Sequence, residues 1–245
     1  MPAAYPDFSK SANDLLTKDF YHVSQTALEF KTRAPNGVQF VVSGKSDHKG
    51  DIGGKLEAKY ADKQSGLNLT QSWLHSNSLD SKVELDNALA QGLKAEVTTR
   101  FNPASAKKAA EAGLLYTQPS FMARAYLDLL RGPAFRGNLS VGQQGFMAGG
   151  EVKYDVVDGR ITGYSAAVGY SIPEYTATIT SDQNLSVFSA AYHHRVNAQV
   201  EAAAKAVWDS NSTDNTVALE LATKYAIDRD TFTKVRARLP MLTAS

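Results

Sequence analysis

Residues 55–60 read Lys-Leu-Glu-Ala-Lys-Tyr, and this stretch decides the fold class. Leu56, Ala58 and Tyr60 alternate here with two lysines and a glutamate. Successive side chains of a β-strand point to opposite faces, so the alternation puts the apolar groups on one face and the ions on the other. The stretch therefore predicts a strand with an apolar medium on one side and water on the other.

The same alternation recurs along the chain after about residue 20. It is found in residues 67–73, 82–86, 94–98, 151–155, 175–180, 200–208 and 217–221. Turn-forming residues at 35–37, 63–66, 158–160 and 209–212 separate these segments. The short spacing favours hairpins in series over βαβ units, and it predicts about fifteen or sixteen antiparallel strands in one domain. Residues 103–113 are rich in Ala and Lys and are interpreted as a longer loop or a helical turn.

A different periodicity marks the start of the chain. Tyr5, Phe8, Ala12, Leu15 and Leu16 recur at helical spacing and form one apolar stripe, with polar residues on the other side. A proline and an aspartate near the start suit the first turn of a helix. Residues 1–20 therefore predict an amphipathic helix followed by strands.

Composition excludes several classes of function. The chain has 245 residues, a formal net charge of +1 and no cysteine. A near-neutral charge gives no electrostatic case for a nucleic-acid partner, and the missing thiols exclude disulfides and Cys-ligated zinc. No carboxylate pair stands out for acid–base chemistry, and the adjacent His193 and His194 would point to opposite faces of a strand. We therefore expect no catalytic site, no metal site and no cofactor.

The many charged residues on the polar side of the predicted strands indicate that this side faces water. A small soluble barrel filled by its own side chains could not desolvate the many Lys and Glu residues of that face, whereas a water-filled interior could. Aromatic residues also lie near strand ends, as in the girdles at membrane interfaces: Tyr60, Trp73, Phe101, Tyr170 and Trp208. The pattern alone leaves two classes open, a membrane barrel and a soluble all-β protein such as a lipid carrier.

Short motifs follow one another along the chain: the helix segment 5–18, the hairpin at 36–40, the strands at 54–60 and 66–73, the Gly-Leu-Lys motif Gly92, Leu93 and Lys94, and residues 145–149, 163–170 and 222–228. In this order the motifs resemble the voltage-dependent anion channels of the mitochondrial outer membrane, and the fungal members most. Each is weak alone, but together they run in order over nearly the whole chain.

The resemblance implies a transmembrane antiparallel β-barrel, an up-and-down meander with the N-terminal amphipathic helix inside the pore. About fifteen or sixteen of the family's nineteen strands are expected here. It also implies a voltage-gated, weakly anion-selective channel in the mitochondrial outer membrane that passes ions and metabolites such as ATP and ADP. The expected partners are membrane lipids, nucleotides and other anionic metabolites as permeants, and further copies of the chain in a homo-oligomer.

The resemblance also assigns candidate site residues. Contact with nucleotides and other anions, and voltage sensing, fall to Lys10, Asn13, Asp14 and Lys18 of the helix and to Lys59 and Lys94 of the strands. The helix lysines have an equally simple interpretation as the solvated side of an amphipathic helix. Gln71 occupies a lipid-facing position at which animal members carry a carboxylate, so properties of that acid are not carried over.

The last part of the chain departs from the family. We expect a single porin domain over 1–245, with the helix segment at 1–20, strands at 21–236 and a tail at 237–245 that resembles nothing in the family. The resemblance implies that the final strands of the family have no counterpart here, and we therefore expect a truncated form. An alternative function follows from that interpretation, namely a non-conducting regulator or interaction partner of full-length porin.

Overall fold

The computed structural model describes residues 2–20, 26–46, 52–62, 64–130, 132, 134–212, 216–228 and 231–241. Over these residues the chain forms a 3-10 turn at Tyr5–Asp7, one α-helix, α1, at Lys10–Thr17, and sixteen strands. The strands are β1 Thr26–Arg33, β2 Gln39–Ser46, β3 Ile52–Asp62, β4 Leu67–Leu74, β5 Leu79–Asp86, β6 Leu93–Asn102, β7 Lys107–Thr117, β8 Phe121–Asp128, β9 Ala134–Gln143, β10 Phe146–Asp155, β11 Arg160–Ser171, β12 Tyr175–Asp182, β13 Val187–Arg195, β14 Val200–Asp209, β15 Val217–Ala226 and β16 Phe232–Met241.

The strands form one antiparallel meander. Each strand pairs with the strands before and after it in the chain, and the order of the sheet runs from β1 to β16 without a crossover. This confirms the prediction of an all-β, up-and-down sheet preceded by a short helix. None of the helices in the described part of the chain is long and apolar enough to cross a membrane.

The pairing register carries the alternation of single strands across the whole sheet. Lys59 is paired with Thr70, and Thr70 with Lys82, so three strands put polar groups on one side, here called the polar face. Leu69 and its partner Val83 lie on the other side, the apolar face. Large exposed hydrophobic side chains line the apolar face from end to end: Leu56, Leu69, Trp73, Val97, Leu139, Val168, Ile179, Tyr192, Leu221 and Val235.

One irregularity keeps the two faces in phase. Between β10 and β11 the register shifts, so that Lys153 is paired with Gly163 but Tyr154 is paired with Ile161. Thr162 is the extra residue of this bulge. Because of it, Ile161 shares the apolar face with Tyr154 instead of turning towards the polar face.

Residues 103–113 differ from their interpretation as a loop or helical turn. β6 continues to Asn102, a turn follows, and β7 begins at Lys107 and pairs with β6 along its length. Alanine is a good helix former, but strand pairing with a neighbour overrides that local preference. Ala110 and Ala112 lie on the apolar face, and their methyl side chains are compatible with its apolar surroundings.

The strands also extend beyond their predicted end at residue 236. β16 pairs with β15 as far as Val217 opposite Met241, so the main chain of 237–241 belongs to the sheet. The remainder of the predicted tail, and residues 21–25 after the helix segment, lie outside the described residues.

The buried core lies between the N-terminal segment and the polar face. One cluster joins Ala12, Leu15 and Leu16 of α1 to alanines of β13, β14 and β15. A second joins Phe8 to Met147 and Ala167. The amphipathic stripe of the segment thus finds an apolar partner on an otherwise polar wall.

Candidate functional site

The polar face of β3 is organised around one carboxylate. Glu57 is only 8 % exposed and receives an ion pair from Lys55 and another from Lys59, whose Nζ lies 2.7 Å from Oε1. Ser72 on β4 donates its hydroxyl to Glu57 at 3.2 Å. The cluster combines two ammonium groups with one buried carboxylate, so it carries a net positive charge.

The polar face of β5 and β6, here also called the wall like the rest of that face, carries a row of alternating charges. Lys82 lies 2.8 Å from Glu84 and 2.9 Å from Glu96, and Lys94 lies 2.6 Å from Glu84. Lys82 and Glu84 are two residues apart on β5, and both ion pairs to β6 join diagonal neighbours, which long side chains on one face can reach. Here the charges largely neutralise one another.

The Gly-Leu-Lys motif has three separate roles in this geometry. Gly92 has a φ of +79° in the turn before β6, and a Cβ there would lie 2.4 Å from the carbonyl oxygen of Thr117. Leu93 opens β6 on the apolar face, opposite Tyr116, and Lys94 follows on the polar face. Two of the three residues therefore shape the fold, and only Lys94 is placed to meet ions.

The N-terminal segment lies along the polar face of the second half of the sheet. Phe8 is 2 % exposed against Met147 and Ala167. Tyr5 donates its hydroxyl to Ser165 at 2.7 Å, and burial raises the pKa of this phenol, which favours the protonated donor. The start of the segment is thus fixed to β10 and β11 by packing and by a hydrogen bond.

Helix α1 continues from there onto β13, β14 and β15. Leu16 is 1 % exposed and packs with Leu15 on a floor of small side chains. The floor consists of Ala191, Ala203 and Ala222, each the polar-face residue at its position on three successive strands. Alanine at these positions lets the helix backbone approach the wall, since a larger side chain would occupy the same space.

Polar contacts fix the helix along the wall. Ser9 is hydrogen-bonded to Thr178 of β12 at 2.8 Å, and Lys205 of β14 donates to the side-chain oxygen of Asn13 at 2.9 Å. Lys234 of β16 donates to the carbonyl oxygen of Lys18 at 2.9 Å, and Arg236 donates to that of Leu16 at 3.0 Å.

The predicted helix residues all lie at this interface or on its exposed side. Lys10 forms an ion pair with Asp7 at 3.5 Å, and Lys18 forms one with Asp14 at 2.8 Å. Asn13 faces the wall through its contact with Lys205. The two helix lysines are paired within the helix segment itself.

The structure brings the predicted residues to one face but not into one cluster. Lys59 and Lys94 lie on β3 and β6, whereas α1 packs on β13 to β15. Gln71, expected to face lipid, lies on the apolar face between Leu69 and Trp73. The candidate site is therefore a surface that extends along the polar face, and not a pocket.

Sequence reasoning missed the wall residues that hold the helix, namely Lys205, Lys234 and Arg236. Their partners are 192 to 220 residues away in the chain. The alternation of β14 and β16 could have placed all three on the polar face. The position of the helix along that face was needed to choose them.

Known proteins are similar to this chain over most of its length. A family model described as "Eukaryotic porin" matches residues 1–240. The chain is 52% identical over 231 residues to the Neurospora crassa "Mitochondrial outer membrane protein porin", covering 94% of this chain and 81% of that protein. The Candida albicans protein of the same name is 46% identical, with 99% and 86% covered. A Homo sapiens "Non-selective voltage-gated ion channel VDAC1" is 30% identical, with 94% and 81% covered.

Proposed function

The chain belongs to the eukaryotic porin family, and from that premise we propose that it is a voltage-gated channel of the mitochondrial outer membrane that passes ions and metabolites such as ATP and ADP and weakly prefers anions. The two fungal relatives share more identity with it than the human one, in agreement with the fungal character of its motifs. Nothing in the comparisons favours the alternative of a non-conducting partner of full-length porin.

The observation that supports a channel is the separation of the two faces over sixteen strands. Trp73 and Ile179 on the apolar face are each 58 % exposed, far from one another in the sheet. A soluble protein would bury so extensive an apolar surface, whereas hydrocarbon accepts it. The opposite face carries ions and the helix, as the wall of an aqueous pore requires.

The weak preference for anions is inferred from charged groups of the polar face that form no ion pair with another described residue. Lys45, Arg124 and Lys224 lie on the polar face and form no ion pair with another described residue, and they add positive charge to the pore. Four carboxylates lie on the same face and also form no ion pair with another described residue: Asp86, Asp155, Asp182 and Asp209. They offset these cations, so the excess of positive charge that the cluster around Glu57 and Lys205 leave is small. Rings of fixed charge bias permeation electrostatically, and a small excess gives a weak bias.

The sensing and nucleotide-contact residues belong to the same proposal. Lys10 and Lys18 are about three-fifths exposed on the side of the helix away from the wall. Lys59 and Lys94 contribute ammonium groups along the same pore. A nucleotide phosphate that passes the helix could meet these cations in turn, and charge on a movable helix responds to a membrane potential.

Reconstitution into a planar bilayer tests the channel. We expect stepwise conductance that falls at raised potential, and a reversal potential displaced towards that of chloride in a KCl gradient. K59Q and K94Q should each reduce this displacement because each removes a pore cation. K108Q is the matched control, since Lys108 lies on the apolar face beside Phe101 and should leave the reversal potential unchanged. Folded protein without stepwise conductance would contradict the proposal.

A further inference from the structure

The C-terminal end of α1 is held by side chains of β16. The last carbonyl groups of a helix have no donors within it and form the negative end of its dipole. Lys234 donates to the carbonyl oxygen of Lys18 at 2.9 Å and to that of Asp14 at 3.5 Å. Arg236 donates to the carbonyl oxygen of Leu16 at 3.0 Å. Two cations of one strand thus supply donors to the carbonyl oxygens of Leu16 and Lys18, and that of Asp14 gains a second donor beside the N–H of Lys18.

The chain after the helix closes over the same two cations. Asp19 has a φ of +61°, and this left-handed residue turns the chain so that Phe20 packs at 8 % exposure. The Nζ of Lys234 lies 5.3 Å from the centroid of the Phe20 ring, and the guanidinium carbon of Arg236 lies 5.2 Å from it. Asp19 adds a carboxylate 3.6 Å from Lys234, whose side chain is only 5 % exposed. Because both cations lie within about 6 Å of the ring centroid, the ring adds cation–π attraction to the hydrogen bonds.

The sequence of β16 explains why these cations need the helix. Lys234, Arg236 and Arg238 are spaced two apart and therefore line one face of the strand as three like charges. Arg238 has an ion pair with Glu220 of β15 at 3.3 Å. The other two cations find their acceptors on α1 and on the residues just after it.

We propose that Lys234 and Arg236 are positioning residues that latch the C-terminal end of α1 to the wall, so that release of the helix and exposure of these two cations to the pore are one event. The latch is distinct from the pore lysines of the proposed function, because the side chain of Lys234 is only 5 % exposed and Arg236 is half-buried while the helix is docked. Replacement of Lys234 and Arg236 by uncharged residues should release the helix. It should remove little of the charge that is exposed to the pore while the helix is docked.

Lys224 supplies a matched comparison. It is the cross-strand partner of Lys234 and lies on the same face. Its Nζ lies 4.8 Å from the Phe232 ring, and it has no hydrogen bond to the described residues of the helix segment. K224M and K234M therefore remove the same charge from neighbouring positions, but only K234M removes a contact with α1.

The absence of cysteine from the chain makes a direct test possible. Ala12 is 2 % exposed in the docked helix, so a thiol from A12C should react slowly with a water-soluble maleimide in lipid vesicles. In this background K234M/R236M should raise the rate of modification by about tenfold or more, since the loss of one charged hydrogen bond alone corresponds to about that factor. K224M should leave the rate unchanged, and K234R, which keeps a donor, should restore the protection that K234M loses.

Equal rates in the parent and in K234M/R236M would overturn the latch, and so would an equal rise with K224M. K234M and R236M are also measured singly, so failure of the double variant to fold would not remove the test. A second readout rests on the proposed function: the latch variants should close at lower membrane potentials than K224M, and closure at the same potential would count against the latch. If no variant conducts, the proposed function fails while the modification rates still decide the latch.

Discussion

Two regions of the polar face, β3 to β6 and β13 to β15, present a polar surface in different ways. On β3 to β6 the wall carries long charged side chains that pair with one another, as Lys82 does with Glu84 and Glu96. On β13 to β15 the corresponding positions carry Ala191, Ala203 and Ala222, and the helix covers them. The first region leaves charged side chains exposed, whereas the second presents the polar side of the helix that covers it.

This difference shows how the size of wall residues decides where the helix lies. A row of alanines offers an apolar floor at close approach, whereas a row of Lys and Glu offers neither space nor a dry surface. The helix stripe is apolar on the side that meets the floor, and Leu16 is the most deeply buried side chain on it. The complementarity therefore resides in small residues that carry no functional group.

Filling the floor should have the largest effect. Ala203→Leu adds atoms where Leu15 and Leu16 pack, and overpacking of this kind costs about 1–3 kcal/mol. Unless the wall yields, α1 must move away, and the modification rate of A12C should rise by about tenfold or more.

Ala204→Leu is the control for this change, because Ala204 is the next residue on β14 and lies on the apolar face opposite Leu221. It should leave the rate as in the parent chain. Unchanged protection in Ala203→Leu would show that the alanine floor does not determine the position of the helix.

Neutralising the central carboxylate of β3 should have an intermediate effect. E57Q keeps the shape and an acceptor for Ser72, but it leaves Lys55 and Lys59 without their counter-ion. The pore gains positive charge, so the reversal potential in a KCl gradient should move further towards that of chloride, opposite in sign to the change with K59Q.

D158N is the corresponding control, since Asp158 lies in an exposed turn with Arg160 as its partner. It removes the same charge away from the wall and should change the reversal potential much less. A shift towards cation preference in E57Q would contradict the assignment of this face to the pore.

The smallest effect on conduction is expected at the Gly-Leu-Lys motif. G92A places a Cβ 2.4 Å from the carbonyl oxygen of Thr117 at a left-handed φ, which costs at least about 1–2 kcal/mol. Urea unfolding in detergent should show this loss, while the selectivity and closing potential of folded channels stay as in the parent.

G44A provides the comparison, because a Cβ on Gly44 meets no atom within 4 Å. It should cost clearly less stability than G92A. A change in selectivity with G92A alone would indicate that the glycine, and not only Lys94, contributes to conduction.

The strands and the two faces could be predicted from the sequence because alternation is a local signal. Each strand shows it within a few residues, as 55–60 does, and the register then repeats it across the sheet. The strand at Lys107–Thr117 escaped prediction because its alanines weaken the contrast between faces, and pairing with β6 decides the structure there.

The helix site could be predicted only in part. The apolar stripe with Leu15 and Leu16 is evident in the sequence, and the family resemblance placed the helix inside the pore. Its wall partners were beyond reach, because Lys205, Lys234 and Arg236 are distant in the chain and resemble every other cation of the polar face. Only the relative positions of helix and sheet distinguish them.

The bulge at Thr162 has a consequence for how such a chain can change in length. Inserting one residue into a strand would turn every later side chain of that strand inside out, exposing ions to hydrocarbon until the next turn. Two residues restore the phase, and a bulge absorbs one at the cost of a local kink. Over evolutionary time, then, odd-numbered insertions should survive in the turns or beside a bulge, and the strands themselves should grow and shrink in steps of two.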